Sequence, residues 1–362
     1  MTKRFVAVCM QLGNNAGHAF TPEEKRKHMD YVCNMVDWAV DQYSLYAPLG
    51  VKLIIGPELT TYGWQSYSLR ELHDKYAIEI PGEETQRLME KAKEYNCYIS
   101  PGSFIERDPD SCKHLVFNTQ VLVGPTGIEY RYRKVQPCWS IEPSVSPHDL
   151  IPTGYDTNKN PLFPVVNTEI GNVGGWICYD CYFPEIARQL ALNGCEIFLG
   201  STAEGDPLGR PPLDYWTTCC RARCIENMAY GVFCATGCTV SKLHSLPGSG
   251  GSVIVDFEGR ILAQSPAPTE SLTMAILDID ALRDHRKHTR LNNTLAQLRI
   301  EAYDYLKMKK CWTPQVQLKD KDDISFDEAD EINCKEIERF WSEYYSEDVK
   351  VPRWRPPWWK TK

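Results

Sequence analysis

Two rhythms of apolar and polar positions run through this chain. Residues 5–12, 51–55, 98–104, 173–177, 197–199 and 232–236 are short, nearly continuous apolar runs of the length of buried strands. Residues 21–46 instead carry Met29, Val32, Val36 and Ala39 at helical spacing. Thr21-Pro22-Glu23-Glu24 opens that helix, with Pro at its first position and acids in its first turn. Residues 81–96, 213–228 and 279–305 predict further helices, and Phe183-Pro184-Glu185 starts another. Residues 116–123 and 129–132, joined by Gly124-Pro125-Thr126-Gly127, predict a hairpin, and 252–256, 261–263 and 272–277 add strands near the end. Alternating strands and helices followed by hairpins predict an α/β layered fold with a mixed sheet. No internal repeat is visible, and beyond residue 305 the chain becomes charged, then rich in Trp and Pro.

The composition is that of a soluble globular protein: 43% apolar and 24% charged over 362 residues, with a net charge of -8. Mild acidity without clustered Lys and Arg argues against nucleic acid and gives no attraction to an anionic membrane. No stretch approaches the roughly 20 apolar residues of a membrane span. The N-terminal apolar run is too short for a signal peptide, so a cytoplasmic location is expected. There the 15 cysteines are expected to be reduced, most of them as small apolar core residues.

Three positions differ from that background. Cys178 follows the apolar run Val173-Gly174-Gly175-Trp176-Ile177 and precedes a helix start at Phe183-Pro184-Glu185. A cysteine at a strand–turn–helix junction is presented at the carboxyl edge of a sheet, where positive potential from a helix start favours thiolate. The alternative is a buried inert thiol. Glu58 ends Leu53-Ile54-Ile55-Gly56-Pro57-Glu58, either as a solvated loop acid or as a base held in low dielectric, where burial raises its pKa. Lys134 closes Tyr130-Arg131-Tyr132-Arg133-Lys134, either as part of a solvated basic strand end or as a cation that stabilises an oxyanion and lowers the thiol pKa.

In that chain order, and with those neighbours, the three residues resemble the nitrilase superfamily of carbon–nitrogen hydrolases. The matching stretches are Gly56-Pro57-Glu58 with Tyr62-Gly63, Tyr132-Arg133-Lys134 with Glu142, and Ile177-Cys178-Tyr179-Asp180 with Phe183-Pro184-Glu185. Gly250-Gly251-Ser252-Val253-Ile254-Val255-Asp256 and Gly259-Arg260-Ile261 fit the closing hairpin, so the resemblance spans about residues 5–279. It implies a four-layer αββα sandwich, with residues 1–285 as catalytic domain and 286–362 as a C-terminal helix and extension, and a homodimer or higher homo-oligomer. It implies Cys178 as nucleophile, Glu58 as general base and Lys134 as oxyanion stabiliser. Glu142 would position the substrate and the Tyr179 N–H would be a second oxyanion donor. The chemistry needs no metal or organic cofactor. The absence of a Trp-Glu pair after Cys178 favours an amidase over a nitrilase, and a ureido (N-carbamoyl) substrate is the runner-up. No cation follows Cys178, so a pocket of Tyr62, Trp64, Trp139 and Tyr182 would suit a neutral or aromatic group.

Two rival readings remain. Cys178 and Cys181, with Cys219, Cys220 and Cys224, suggest a zinc or redox centre, although their spacing is unusual and no His pair has ligand spacing. A binding module on the same scaffold would be expected to lack one of Glu58, Lys134 and Cys178. The tail Pro352-Arg353-Trp354-Arg355-Pro356-Pro357-Trp358-Trp359 is expected to dock on the body or on a partner subunit.

Overall fold

The computed structural model describes residues 4–13, 21–44, 49–60, 68–108, 114–139, 142, 144–203, 214–238, 250–303 and 311–352. Its strands are β1 (Arg4–Gln11), β2 (Val51–Ile55), β3 (Tyr98–Ser100), β4 (Ser103–Arg107), β5 (Val116–Gly124), β6 (Gly127–Arg133), β7 (Val165–Thr168), β8 (Gly171–Ile177), β9 (Ile197–Thr202), β10 (Tyr230–Ala235), β11 (Val253–Val255), β12 (Ile261–Gln264) and β13 (Ser271–Asp278). One sheet runs β13-β1-β2-β3-β5-β4 with β6 paired to β5; the other runs β12-β11-β10-β9-β8-β7. The longer helices are α1 (Pro22–Ser44), α2 (Glu83–Tyr95), α3 (Pro184–Leu192), α4 (Tyr215–Asn227), α5 (Ile279–His288) and α6 (Phe326–Tyr345).

The period of two within β1 explains the layering. Val6, Val8 and Met10 pack with Met29, Val32, Val36 and Ala39 of α1 and with Leu88 and Ala92 of α2. Phe5, Ala7 and Cys9 point the other way, into a cluster with Val173, Ile197 and Leu199 of the second sheet. Alternate side chains of one strand therefore feed two cores, which a strand in the middle of a sandwich must do. Ile186 and Leu190 of α3 and Trp216 and Cys220 of α4 join the second sheet. The result is a four-layer αββα sandwich.

Buried polar groups also join the sheets. Gln120 of β5 reaches across to donate through Nε2 to Trp176 O at 3.2 Å and to Ser201 Oγ at 3.0 Å, while Tyr130 OH donates to its Oε1 at 2.6 Å. The crossing is close because Gly175 has no side chain: a Cβ there would stand 2.2 Å from Gln120 Oε1 and 2.5 Å from Leu199 O.

Two elements differ from expectation, and the solvated reading of the basic strand end does not hold. The run 98–104 is two strands, broken at Pro101-Gly102, where Gly102 has φ of +104° and a Cβ would overlap Pro57 O. The helix expected over 279–305 stops at His288, because the Asn293 side chain donates to Arg286 O and Thr289 O and Asn292 turns left-handed at φ of 62°. The basic strand end is not solvated: Arg133 is buried and donates to both oxygens of Glu106 and to Asp108 at 2.6–2.9 Å. In the C-terminal segment, Leu318, Ile324 and Ala329 pack with Leu59, Leu69, Phe117 and Trp139 of the body. Among the described residues no helix is long and apolar enough to cross a membrane. The Trp-rich tail from residue 353 lies outside the described residues.

Gly175→Ala forces the two sheets apart at Gln120. It should lower the unfolding free energy by about 1–3 kcal/mol, the usual cost of overpacking a core, read as a lower urea midpoint at unchanged slope.

Candidate active site

Strand ends bring the site together. Glu58 follows β2 by three residues, Lys134 follows β6 directly, and Cys178 follows β8 directly. Lys134 N donates to Asn118 O of β5 at 2.8 Å, which fixes where its side chain starts. Ser201 Oγ donates to Gly56 O at 3.1 Å and Ala203 N donates to Glu58 Oε2 at 2.9 Å, which ties the end of β9 to the Glu58 loop.

The Lys134 side chain is sealed from solvent between two carboxylates, with Nζ 2.8 Å from Glu58 Oε1 and 2.5 Å from Glu142 Oε2. Asn118 Nδ2 donates to the same pair, to Glu58 Oε1 at 2.9 Å and Glu142 Oε1 at 2.8 Å. Ser144 Oγ adds a bond to Glu142 Oε1 at 2.6 Å. Burial works against charge on Lys134, but Glu142 and Glu58 outweigh it and lift its pKa well above that of an ordinary lysine. Burial likewise opposes charge on Glu142, yet Lys134, Ser144 and Asn118 pull its carboxyl below the usual range. These two groups are therefore an ammonium and a carboxylate at neutral pH.

Cys178 adopts φ of 49°, in the left-handed region that non-glycine residues avoid at a cost of about 1–2 kcal/mol. Asp180 holds that turn. Its carboxylate accepts from Ile177 N at 3.0 Å, Tyr132 OH at 2.7 Å and Gln136 N at 2.9 Å, and so joins the Cys178 turn to the segment carrying Lys134. Burial pushes the Asp180 carboxyl up to about 7 against the pull of Lys134 and these donors.

The thiol differs from the expectation of a resting thiolate. Burial and the negative charge of Glu58 raise the Cys178 pKa well above its ordinary value, and Lys134 and a hydrogen bond with Thr202 only partly offset them. One ammonium faces two carboxylates here, so the local field favours the neutral thiol. Attack by this sulfur would require a base to take its proton.

Of the other expected residues, Glu142 is fully buried in the network, and Trp139 and Tyr179 line one cavity together. Tyr182 does not line that cavity; its ring packs edge-on to Tyr179 at 5.7 Å between centroids and lies 4.9 Å from that of Tyr215. Tyr62 and Trp64 lie outside the described residues. The cysteine-rich stretch does not gather as a zinc site: Cys181 Sγ is 3.9 Å from Cys220 Sγ, and among the described residues no three thiols come within ligand distance. The fold does bring together His73, Asp74 and His114, which spacing along the chain concealed. Arg70 Nη2 stands 3.3 Å from His114 Nε2, adding positive charge where a cation would sit. Asn118 and Asp180 were not singled out in the sequence. Asp180 lay within the matched stretch; an Asn inside a β-strand gives no comparable signal.

The profile of the carbon–nitrogen hydrolase family matches residues 19–287, more than half of the chain. The chain belongs to the carbon–nitrogen hydrolase family. It lies within the nitrilase superfamily. This carbon–nitrogen hydrolase is 30% identical over 255 residues to a nitrilase from Pyrococcus abyssi, covering 70% of this chain and 87% of that one. It is 33% identical over 236 residues to a 2-oxoglutaramate amidase from Paenarthrobacter nicotinovorans, covering 65% and 74%. A carbon–nitrogen hydrolase from Helicobacter pylori superposes with a TM-score of 0.64 at 20% identity, over 85% of this chain and 99% of that one, and so shares its fold.

Lys134→Met strands two buried carboxylates. It should cost about 3–5 kcal/mol at pH 7, as removal of one partner of a buried ion pair does, measured by urea denaturation. Because pairing lowers the Glu142 pKa, its share of that stability is complete above the ordinary carboxylate range and is lost as the pH falls below that range through the depressed native pKa. The gap between wild type and variant should therefore narrow on acidification.

Proposed function

We propose that this hydrolase cleaves a linear primary amide to a carboxylate and ammonia through a thioester on Cys178. The observation that carries the reading is the buried Glu58–Lys134–Glu142 network at the strand ends beside Cys178. Glu58 Oε takes the Sγ proton as sulfur attacks the carbonyl carbon. Lys134 has three N–H donors, two of them directed at Glu58 and Glu142, which leaves one to meet the developing oxyanion. The Tyr179 N–H is the second donor in this reading. The tetrahedral adduct collapses, Glu58 returns its proton to the nitrogen, and ammonia leaves. Water then attacks the thioester carbonyl and gives its proton to Glu58. The C–S bond breaks, and the thiol is re-formed with that proton. Glu142 never needs to change charge; it keeps Lys134 an ammonium and in place.

An amide fits better than a nitrile because Tyr179-Asp180 follows the cysteine, and Asp180 is committed to holding the turn. A ureido substrate would use the same residues. The small-molecule substrate needs no cofactor in this scheme. The described cysteines are all free thiols, which suits a reducing cytoplasm. We also assign the chain a homo-oligomeric state on its family membership, with residues 1–285 as catalytic unit and 286–362 as the extension.

The test is ammonia release from primary amides, N-carbamoyl compounds and nitriles. Amides should turn over fastest, and Cys178→Ala should lower their turnover by at least about 10³-fold, as loss of a covalent nucleophile does. Retained turnover in that variant would remove the mechanism, and a faster nitrile or ureido substrate would reassign the bond.

A further inference from the structure

A cavity of about 520 Å³ lies outside the catalytic network, between the body and the C-terminal extension. Trp139 walls it on the body side, and Trp312 with Ile337, Phe340 and Trp341 of α6 on the extension side. The rings of Trp139 and Trp312 stand 6.0 Å apart between centroids. Beside this cavity α6 leaves large aromatic side chains open: Trp341 is 38% exposed, and Tyr344 and Tyr345 at the end of the helix are 68% and 58% exposed. Such a patch on one helix marks an interaction surface.

The path of the chain after α6 shows what lies nearest to it. Ser346 turns left-handed at φ of 58° and ends the helix. The chain then doubles back along α6: Val349 N donates to Ser342 Oγ at 3.0 Å, and Val351 N donates to Glu338 Oε1 at 3.0 Å. Two residues of returning chain thus pass about one helical turn, as extended backbone at about 3.3 Å per residue does against a pitch of about 5.4 Å. At Pro352 the return is directed at the turn that brings Asn333, Glu336 and Ile337 to the cavity wall. Residues 353–362, Arg-Trp-Arg-Pro-Pro-Trp-Trp-Lys-Thr-Lys, follow from there. A stiff, Pro-rich segment of this kind suits an aromatic-lined groove. Charge agrees with that placement: the segment has four basic residues and no acid, whereas α6 has seven acids against two bases.

We propose that residues 353–362 dock on their own chain at this face, with Trp354 entering the cavity between Trp312 and Trp341. Trp354 is three residues beyond Val351, about 10 Å of extended chain. Ile337 and Trp341 lie within one turn of Glu338, which Val351 already meets, so the segment reaches the cavity without crossing to another copy. This placement is independent of the reaction assigned to Cys178.

The test is limited trypsin digestion of the full-length enzyme, with cleavage after Arg353 followed by intact mass. Trp341→Ala, which opens the wall, and Ile337→Trp, which fills the cavity, should each speed that cleavage by about tenfold, equivalent to one lost aromatic contact. The far-ultraviolet circular dichroism should stay unchanged. A second measurement does not depend on either variant folding. With p-benzoylphenylalanine, a photo-cross-linker, in place of Trp354, irradiation should join position 354 to the segment holding Trp312, Ile337 or Trp341, at monomer mass on a denaturing gel. The same cross-link at dimer mass would overturn docking on the segment's own chain and make this face a contact between copies. A cross-link elsewhere, none at all, or cleavage after Arg353 that neither variant alters would overturn the proposal.

Discussion

The position of one buried ammonium governs this molecule. Lys134 has lost its water and is stable only because Glu58 and Glu142 meet it at 2.8 and 2.5 Å. Those two carboxylates come from separate segments, and Asn118 bridges them from a third. An ion cluster of this kind tolerates little displacement, since a lost partner leaves an uncompensated charge in low dielectric. The sandwich around it is built to the same tolerance, as the crossing of Gln120 over Gly175 and of Pro57 over Gly102 shows.

The same cluster sets the state of the sulfur. A lone lysine beside a cysteine would favour the thiolate. Here its charge is already answered twice, and the remaining carboxylate field opposes a third anion. Burial and the carboxylate field favour the neutral thiol, which sits on a left-handed turn. In the proposed cycle this gives Glu58 a proton to carry in both halves.

Much of this was legible in the sequence because period and chemistry coincided. β1 shows its double-sided burial as a continuous apolar run, and α1 shows its core face as Met29, Val32, Val36 and Ala39. Glu58, Lys134 and Cys178 stood out because each sits at or just after a strand end, in the chain order of the family. What stayed hidden depends on contacts distant in sequence. Arg133 reads as a surface cation until Glu106 and Asp108 are brought to it. The Asn293 side chain that ends α5 gives no signal in an otherwise helical stretch. Asp180 reads as a loop acid, yet three donors from two segments converge on it. The walls of the outer cavity come from residues roughly 170–200 positions apart in the chain, a separation over which local periodicity carries no information.

The most direct measurement of this account is the pH dependence of Cys178 alkylation by iodoacetamide, followed residue by residue by mass spectrometry in wild type and in Glu58→Gln. The opposing charges predict a wild-type rate that is low at neutral pH and still climbing beyond pH ~9, the region above an ordinary thiol pKa of about 8.5. They also predict a profile displaced to lower pH when the Glu58 charge is removed. A wild-type rate that levels off below pH ~8, or a profile that Glu58→Gln leaves in place, would contradict the claim that carboxylates hold this sulfur neutral.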